Sequence, residues 1–174
     1  MNLFWIDLEM TDLDVEKEVI IEVAAIITDL NFNILDTYHS VVKQDAKYID
    51  NMDEWNTKHH GASGLTKEIP WGKEPAIVEE DLIKVLDQYF KTERAILAGN
   101  SISQDRLFID KYFKKFASRL HYRMLDVTSW KIMMNSKFNL KHDKKNTHRA
   151  LDDIKESISE MQYYLSFVKT PSVP

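Results

Sequence analysis

Asp7 and Glu9 stand two positions apart in the run Phe4-Trp5-Ile6-Asp7-Leu8-Glu9. In an extended strand alternate residues point to the same side, so the two carboxylates share one face, roughly 6–7 Å apart along the strand, with Leu8 on the other. The flanking residues are large and apolar, which marks a central strand rather than a solvated edge. Carboxylates in such a place repel one another and are costly to bury unless a cation neutralises them. Magnesium or manganese, which prefer oxygen ligands, would meet that need.

Three more candidates lie far along the chain. Asp105 follows Asn100-Ser101-Ile102-Ser103-Gln104 at an expected strand-to-helix junction, where it either supplies a further carboxylate or simply meets the positive end of a helix dipole. His148 and Asp153 flank the start of the last expected helix. Helical geometry barely separates Asp153 from its neighbour: Asp153 lies about 115° from the apolar stripe and Asp152 about 145°.

The elements that must carry these residues follow from periodicity. Apolar runs predict strands over 3–9, 19–28 and 34–43, the last two joined by the Asn- and Asp-containing turn 29–33. Short strands are expected over 95–98 and 123–127. Helices are expected over 52–60, 74–90, 103–116 and 128–135, and from about 148 onward, with Leu151, Ile154, Ile158, Met161 and Leu165 as the last core stripe. In the 103–116 helix, Leu107, Phe108, Tyr112 and Phe116 are expected on one side. Residues 141–145 read as a charged loop and 171–174 as a frayed tail. This order implies an α/β fold, a mixed five-stranded sheet flanked by helices, in a single domain over 1–170.

Composition narrows the function classes. The 174 residues include no Cys, which excludes a disulfide scaffold, a thiolate zinc site and a Cys nucleophile, and the six His show no HExxH spacing. Only 4 Gly and 4 Pro argue against a disordered or fibrous chain. There are 23 basic and 28 acidic side chains, a formal charge of −5, and no basic stripe of the kind that holds long nucleic acid. A phosphate-bearing ligand must therefore be short, or bridged to carboxylates by metal. No apolar run approaches the roughly 20 residues of a membrane span. The chain starts at its first strand with no targeting segment, so the cytoplasm is the expected compartment.

Three segments together resemble a known family: Trp5-Ile6-Asp7-Leu8-Glu9-Met10-Thr11, Gly99-Asn100-Ser101-Ile102-Ser103-Gln104-Asp105 and His148-Arg149-Ala150-Leu151-Asp152-Asp153. They are similar to the three motifs of the exonucleases named for four acidic residues plus a His. In that family the His precedes the last Asp by five positions, which selects Asp153. Asp53-Glu54-Trp55, His60-Gly61-Ala62-Ser63-Gly64-Leu65 and His121-Tyr122-Arg123 narrow the resemblance to its oligoribonuclease branch, over about residues 3–164.

The resemblance implies a ribonuclease H-like fold and hydrolysis of very short RNA from the 3′ end. Asp7, Glu9, Asp105 and Asp153 would hold two Mg²⁺ or Mn²⁺ ions, roughly 3.5–4 Å apart, with His148 as general base. It further implies that Leu13 wedges between bases, that Trp55 and His60 lie near the substrate, and that Ser101 and Arg123 cap the 5′ phosphate. Thr128 stands where Ser is common and could donate the same hydrogen bond. Tyr122 would reach the substrate of a second subunit, since the family acts as a homodimer. Asp12 replaces the family's usual Gly, which would strain the turn if that position needed a positive φ. Two rivals stay open: a proofreading-type exonuclease on single-stranded DNA, and a non-catalytic nucleotide-binding module of the same fold.

Overall fold

Apolar residues dominate two strands, β1 (Asn2–Met10) and β2 (Ile20–Asp29), at the heart of the computed structural model, which describes residues 1–143 and 149–169. β2 turns back into β3 (Ile34–Val41) through a loop held by Asp29, whose carboxylate accepts from the Asn31 and Asn33 N–H groups at 2.8 and 2.9 Å. Four short or amphipathic helices follow: α1 (Ala46–Asp50), α2 (Glu54–Ala62), α3 (Leu65–Glu68) and, after a 3-10 turn, α4 (Pro75–Tyr89). Then come β4 (Ala95–Gly99), α5 (Ile102–Tyr112), α6 (Lys114–Ala117), β5 (Leu120–Asp126), α7 (Val127–Phe138) and α8 (Ala150–Leu165).

The strands form one mixed sheet in the order β3-β2-β1-β4-β5, with β1, β2 and β3 antiparallel and β4 and β5 running parallel to β1. Strand alternation divides the core in two. Phe4, Ile6 and Leu8 pack with Val78, Leu82 and Leu86 of α4, Phe108 of α5 and Phe116 of α6. On the other face Leu3 and Trp5 pack with Ala24, Ile26 and, from α8, Ala150, Ile154, Ile158 and Met161. Asp7 and Glu9 continue the Leu3–Trp5 alternation, so they emerge on the α8 side where the apolar contact ends. Trp5 is buried without an orphaned donor because its Nε1–H donates to Thr28 Oγ1 at 3.0 Å.

The structure differs from expectation in a few places. The helix expected over 103–116 breaks at Phe113 (φ −122°, ψ 59°), which turns its ring into the core at 1% exposure and starts α6 with Phe116 also buried. Leu107 is exposed; Phe108 faces inward as expected, and Ile109 is buried beside it. β5 begins three residues earlier than expected, and α7 runs on to Phe138, where Asn139 closes it in the left-handed region (φ 55°). The expected 141–145 loop is described only as far as 143, and the 171–174 tail lies outside the described residues. No described helix is long and apolar enough to cross a membrane.

Phe4 is fully buried on β1, with ring centroids 5.3 Å from Phe116 and 6.0 Å from Phe90. Phe4→Ala should lower unfolding free energy by about 3–5 kcal/mol, read by urea titration. A loss under about 1 kcal/mol would mean that β1 is not packed as described.

Candidate active site

The sheet brings the acidic candidates to one end. Asp7, Glu9 and Asp153 each offer an oxygen within 4.8 Å of the other two. Helix α8, lying across β1 and β2, delivers Asp153, whereas Asp152 is exposed and pairs with Lys155 at 3.1 Å. The structure thus groups Asp153, and not Asp152, with Asp7 and Glu9.

Asp105 joins from the first turn of α5. Its Oδ1 accepts from the Leu8 N–H at 3.0 Å, which ties α5 to the strand between the two β1 carboxylates. Gly99 permits this approach: a Cβ there would lie 3.0 Å from the Ile6 carbonyl and 3.1 Å from Ile102 Cδ1. His148 lies outside the described residues.

Electrostatics make the cluster expensive as it stands. Burial, then Asp105, Glu9 and Asp153, raise the Asp7 pKa well above the usual carboxylate range. Burial and then the Asp153 charge push Glu9 up to about 8. Burial pushes Asp105 up to about 7 although the Leu8 N–H opposes it. Hard oxygen donors, half-buried and repelling one another, fit a divalent cation such as Mg²⁺ or Mn²⁺.

A cleft of about 290 Å³ opens beside Glu9, lined by Leu13, Trp55, Asp12 and Asp53 among others. Asp53 caps α2 by accepting from the Asn56 N–H at 2.7 Å, which sets the helix that carries Trp55. Trp55 is half exposed and stacks on His59 with ring centroids 3.9 Å apart. His60, one turn on, is 2% exposed: its Nε2 sits 3.1 Å from the Met10 carbonyl and its Nδ1 3.9 Å from Glu9, so it lies against the end of β1. Leu13 is 63% exposed, and its loop is tied to α5 by Gln104 Nε2 donating to the Leu13 carbonyl at 2.8 Å and Tyr112 Oη to the Glu18 carbonyl at 2.6 Å. Asp12 has no positive φ; its carboxylate accepts from the Leu13 N–H at 2.7 Å, so the feared strain is absent.

A second polar cradle forms where β4 meets α5. Ser101 takes the left-handed conformation (φ 51°, ψ 33°), uncommon for a residue with a Cβ. Its N–H donates to Thr128 Oγ1 at 2.8 Å and to Asp126 Oδ1 at 3.1 Å, and its hydroxyl lies 3.2 Å from that of Thr128. Thr128 in turn donates to Asn100 Oδ1 at 3.2 Å. Tyr122 and Arg123 stand exposed on β5, an edge strand of the sheet, with the Arg123 guanidinium 5.2 Å from the Tyr122 ring centre.

Several contributors escape sequence reasoning. Asn100 Nδ2 donates to Ser157 Oγ at 2.7 Å and Glu160 Oε2 at 3.2 Å, linking the cradle to α8. Glu22, on β2, and Arg149, at the head of α8, form an ion pair at 2.8 Å. Burial opposes the Glu22 charge, yet His39, the Ala150 N–H and Arg149 together hold its pKa below the usual range. A lone Glu inside the 19–28 strand pattern was the available signal, and it singles out no partner.

Comparison with known proteins places this geometry. The RNase T family model, described as "Exonuclease", matches residues 4–161. An oligoribonuclease from Francisella tularensis subsp. novicida is 43% identical over 166 residues, covering 94% of this chain and 93% of that one. The oligoribonuclease of Ectopseudomonas mendocina is 42% identical over 168 residues with the same coverage. The human mitochondrial oligoribonuclease is 41% identical over 172 residues, covering 94% of this chain and 71% of its own length. Exonuclease I from Methylocaldum szegediense superposes with a TM-score of 0.71 at 15% identity, and E. coli exonuclease I in complex with a dT13 oligonucleotide gives the same TM-score at 13%. The match covers 95% of this chain and about 40% of those longer enzymes, and shows the shared fold. The chain thus belongs to the oligoribonuclease family, within the RNase T exonucleases.

Proposed function

We propose that the chain hydrolyses short RNA oligonucleotides, dinucleotides included, from the 3′ end and releases nucleoside 5′-monophosphates. The observation that carries this reading is the Asp7, Glu9 and Asp153 trio beside a cleft walled by Trp55 and Leu13. That cleft sits at the low end of ligand pockets, which span roughly 300–1,000 Å³, and suits about one nucleotide. Trp55 stacks the 3′ base and Leu13 wedges beneath the next one. His60 supports Glu9 from α2. Ser101, Thr128 and Arg123 cap the 5′ phosphate, which ends the substrate early and explains why a chain of charge −5 needs no basic track.

Asp7, Glu9, Asp105 and Asp153 are the residues to hold two divalent ions, Mg²⁺ or Mn²⁺. When bound, such a pair polarises the scissile phosphate and lowers the pKa of an attacking water. His148 is the general base, an imidazole being the side chain suited to take up a proton near neutral pH. It takes the water's proton as the oxygen bonds to phosphorus, while the bond to the leaving O3′ breaks and that oxygen is protonated from solvent. Tyr122, 75% exposed on its strand, reaches a second subunit's substrate in a homodimer. The half-exposed Ile132, Met133 and Phe138 on α7, beside a cavity of about 310 Å³, support such an interface.

Three measurements test this. With Mn²⁺, labelled RNA dinucleotide should be converted to mononucleotide, and His148→Ala should slow it by roughly 10²–10⁴-fold. A DNA 20-mer should be a poor substrate. Binding without turnover would favour the non-catalytic module, and preference for the DNA would favour the proofreading-type enzyme.

Stability should also report the metal. With Asp7, Glu9 and Asp105 raised, the folded metal-free chain retains protons between roughly pH 4 and 8 that the unfolded chain has released. Its stability should therefore fall as pH rises through that window. Mg²⁺ should raise Tm more at about pH 8 than at about pH 5.5, where protons compete for the ligands; equal shifts would count against these carboxylates as ligands.

Light scattering should give twice the 20.5 kDa chain mass, and Met133→Glu should give one chain mass with reduced activity. A fully active wild-type monomer would exclude the dimer.

A further inference from the structure

Glu22 is completely buried, and none of the roles assigned above uses it. It stands directly opposite Glu9 in the β1–β2 register, beside the irregularity that interrupts the pairing after Glu9. Every polar contact it makes is with a donor. Its Oε1 lies 2.7 Å from His39 Nε2 and accepts from Arg149 Nε and Nη2 at 2.9 and 2.8 Å. Its Oε2 accepts from the Ala150 N–H at 3.0 Å.

Those donors define where α8 begins. Arg149 is the residue before the first helical turn, extended at φ −131° and ψ 121°, and its side chain makes no cap bond to its own helix. The free Ala150 N–H is satisfied instead by a carboxylate 128 positions away in sequence. A negative charge at a helix N-terminus is favourable in itself. On its other edge Arg149 reaches Glu68 at 3.1 and 3.3 Å and the Ser63 carbonyl at 3.3 Å. The Asp153 N–H donates to the Arg149 carbonyl at 3.1 Å, so the residue that Glu22 grips also accepts the first helical hydrogen bond of Asp153.

The rest of the α8 contact is Ile154, Ile158 and Met161 against Trp5, Ala24 and Ile26. Apolar contact is non-directional and by itself tolerates small slides and rotations of a helix. The charge-assisted bonds to Glu22 are directional. We propose that Glu22 is a positioning residue for the metal site: by clasping Arg149 and Ala150 it fixes the start of α8 against β1, and so sets the spacing of Asp153 from Asp7 and Glu9. This rests on the assignment of that trio as metal ligands. Glu22 is not itself a ligand, because both of its oxygens already accept from Arg149, Ala150 and His39 on the far side of Glu9.

The test uses the full chain as Glu22→Gln, which keeps shape and loses charge, and as Arg149→Lys, which keeps charge and loses the planar fork. Folding is checked by circular dichroism and thermal melting. Mn²⁺ binding is measured by titration calorimetry without RNA, and dinucleotide kcat and KM at saturating Mn²⁺. Each folded variant should bind Mn²⁺ about tenfold more weakly. Dinucleotide KM at saturating metal should stay within about twofold, because the walls that hold the bases are untouched. Wild-type Mn²⁺ affinity in a folded variant would overturn the role of Glu22 while leaving the metal site in place. A wild-type chain that binds no Mn²⁺ would instead overturn the ligand assignment beneath it. If neither variant folds, the pair serves the fold alone and the positioning role is overturned.

Discussion

Mutual repulsion among carboxylates at one end of a buried strand is the constraint around which this molecule is organised. Asp7 and Glu9 sit on the central strand because the same alternation that sends Leu3 and Trp5 into the core sends them, two residues on, to the sheet's end. Asp153 and Asp105 arrive from helices on opposite faces. Concentrating negative charge in a half-buried place costs free energy that hydrophobic burial elsewhere must offset. The fold meets that cost locally with the Leu8 N–H to Asp105 and the Arg149 guanidinium near Glu9 and Glu22. The remainder is a cost that a bound divalent cation would offset.

Much of this was legible in the sequence, for physical reasons. Strand alternation placed Asp7 and Glu9 on one face, and β-branched and apolar runs located all five strands. The loss of legibility at Phe113 is equally physical: an aromatic ring's burial outweighs one turn of continued helix, and no periodicity announces that choice. Asp152 and Asp153 differ by one position on a helix whose rotation is decided by packing against β1 and β2, so only the assembled structure separates them. Glu22 was invisible because its meaning lies in partners more than a hundred residues away. His60 illustrates a subtler case: its neighbourhood was foreseeable, and its burial beside Glu9 was not.

The walls of the site are as firmly tethered as its floor. The loop bearing Leu13 is held by Gln104 and Tyr112 from the same helix that supplies Asp105, so the two sides of the cleft share one support. The Ser101–Thr128 cradle is tied through Asn100 to Ser157 and Glu160 of the helix that supplies Asp153. The connecting segments on both sides of the cluster are thereby anchored to α5 and α8.

The placement of Asp153 on α8 has a consequence for biosynthesis. A chain emerging from the ribosome exposes Asp7 and Glu9 early, while the helix that completes the trio is translated more than a hundred residues later. Until α8 docks and Glu22 meets Arg149, Asp7 and Glu9 lack the third carboxylate of the cluster. A cluster built in this order closes only when the last described helix takes its place on the sheet.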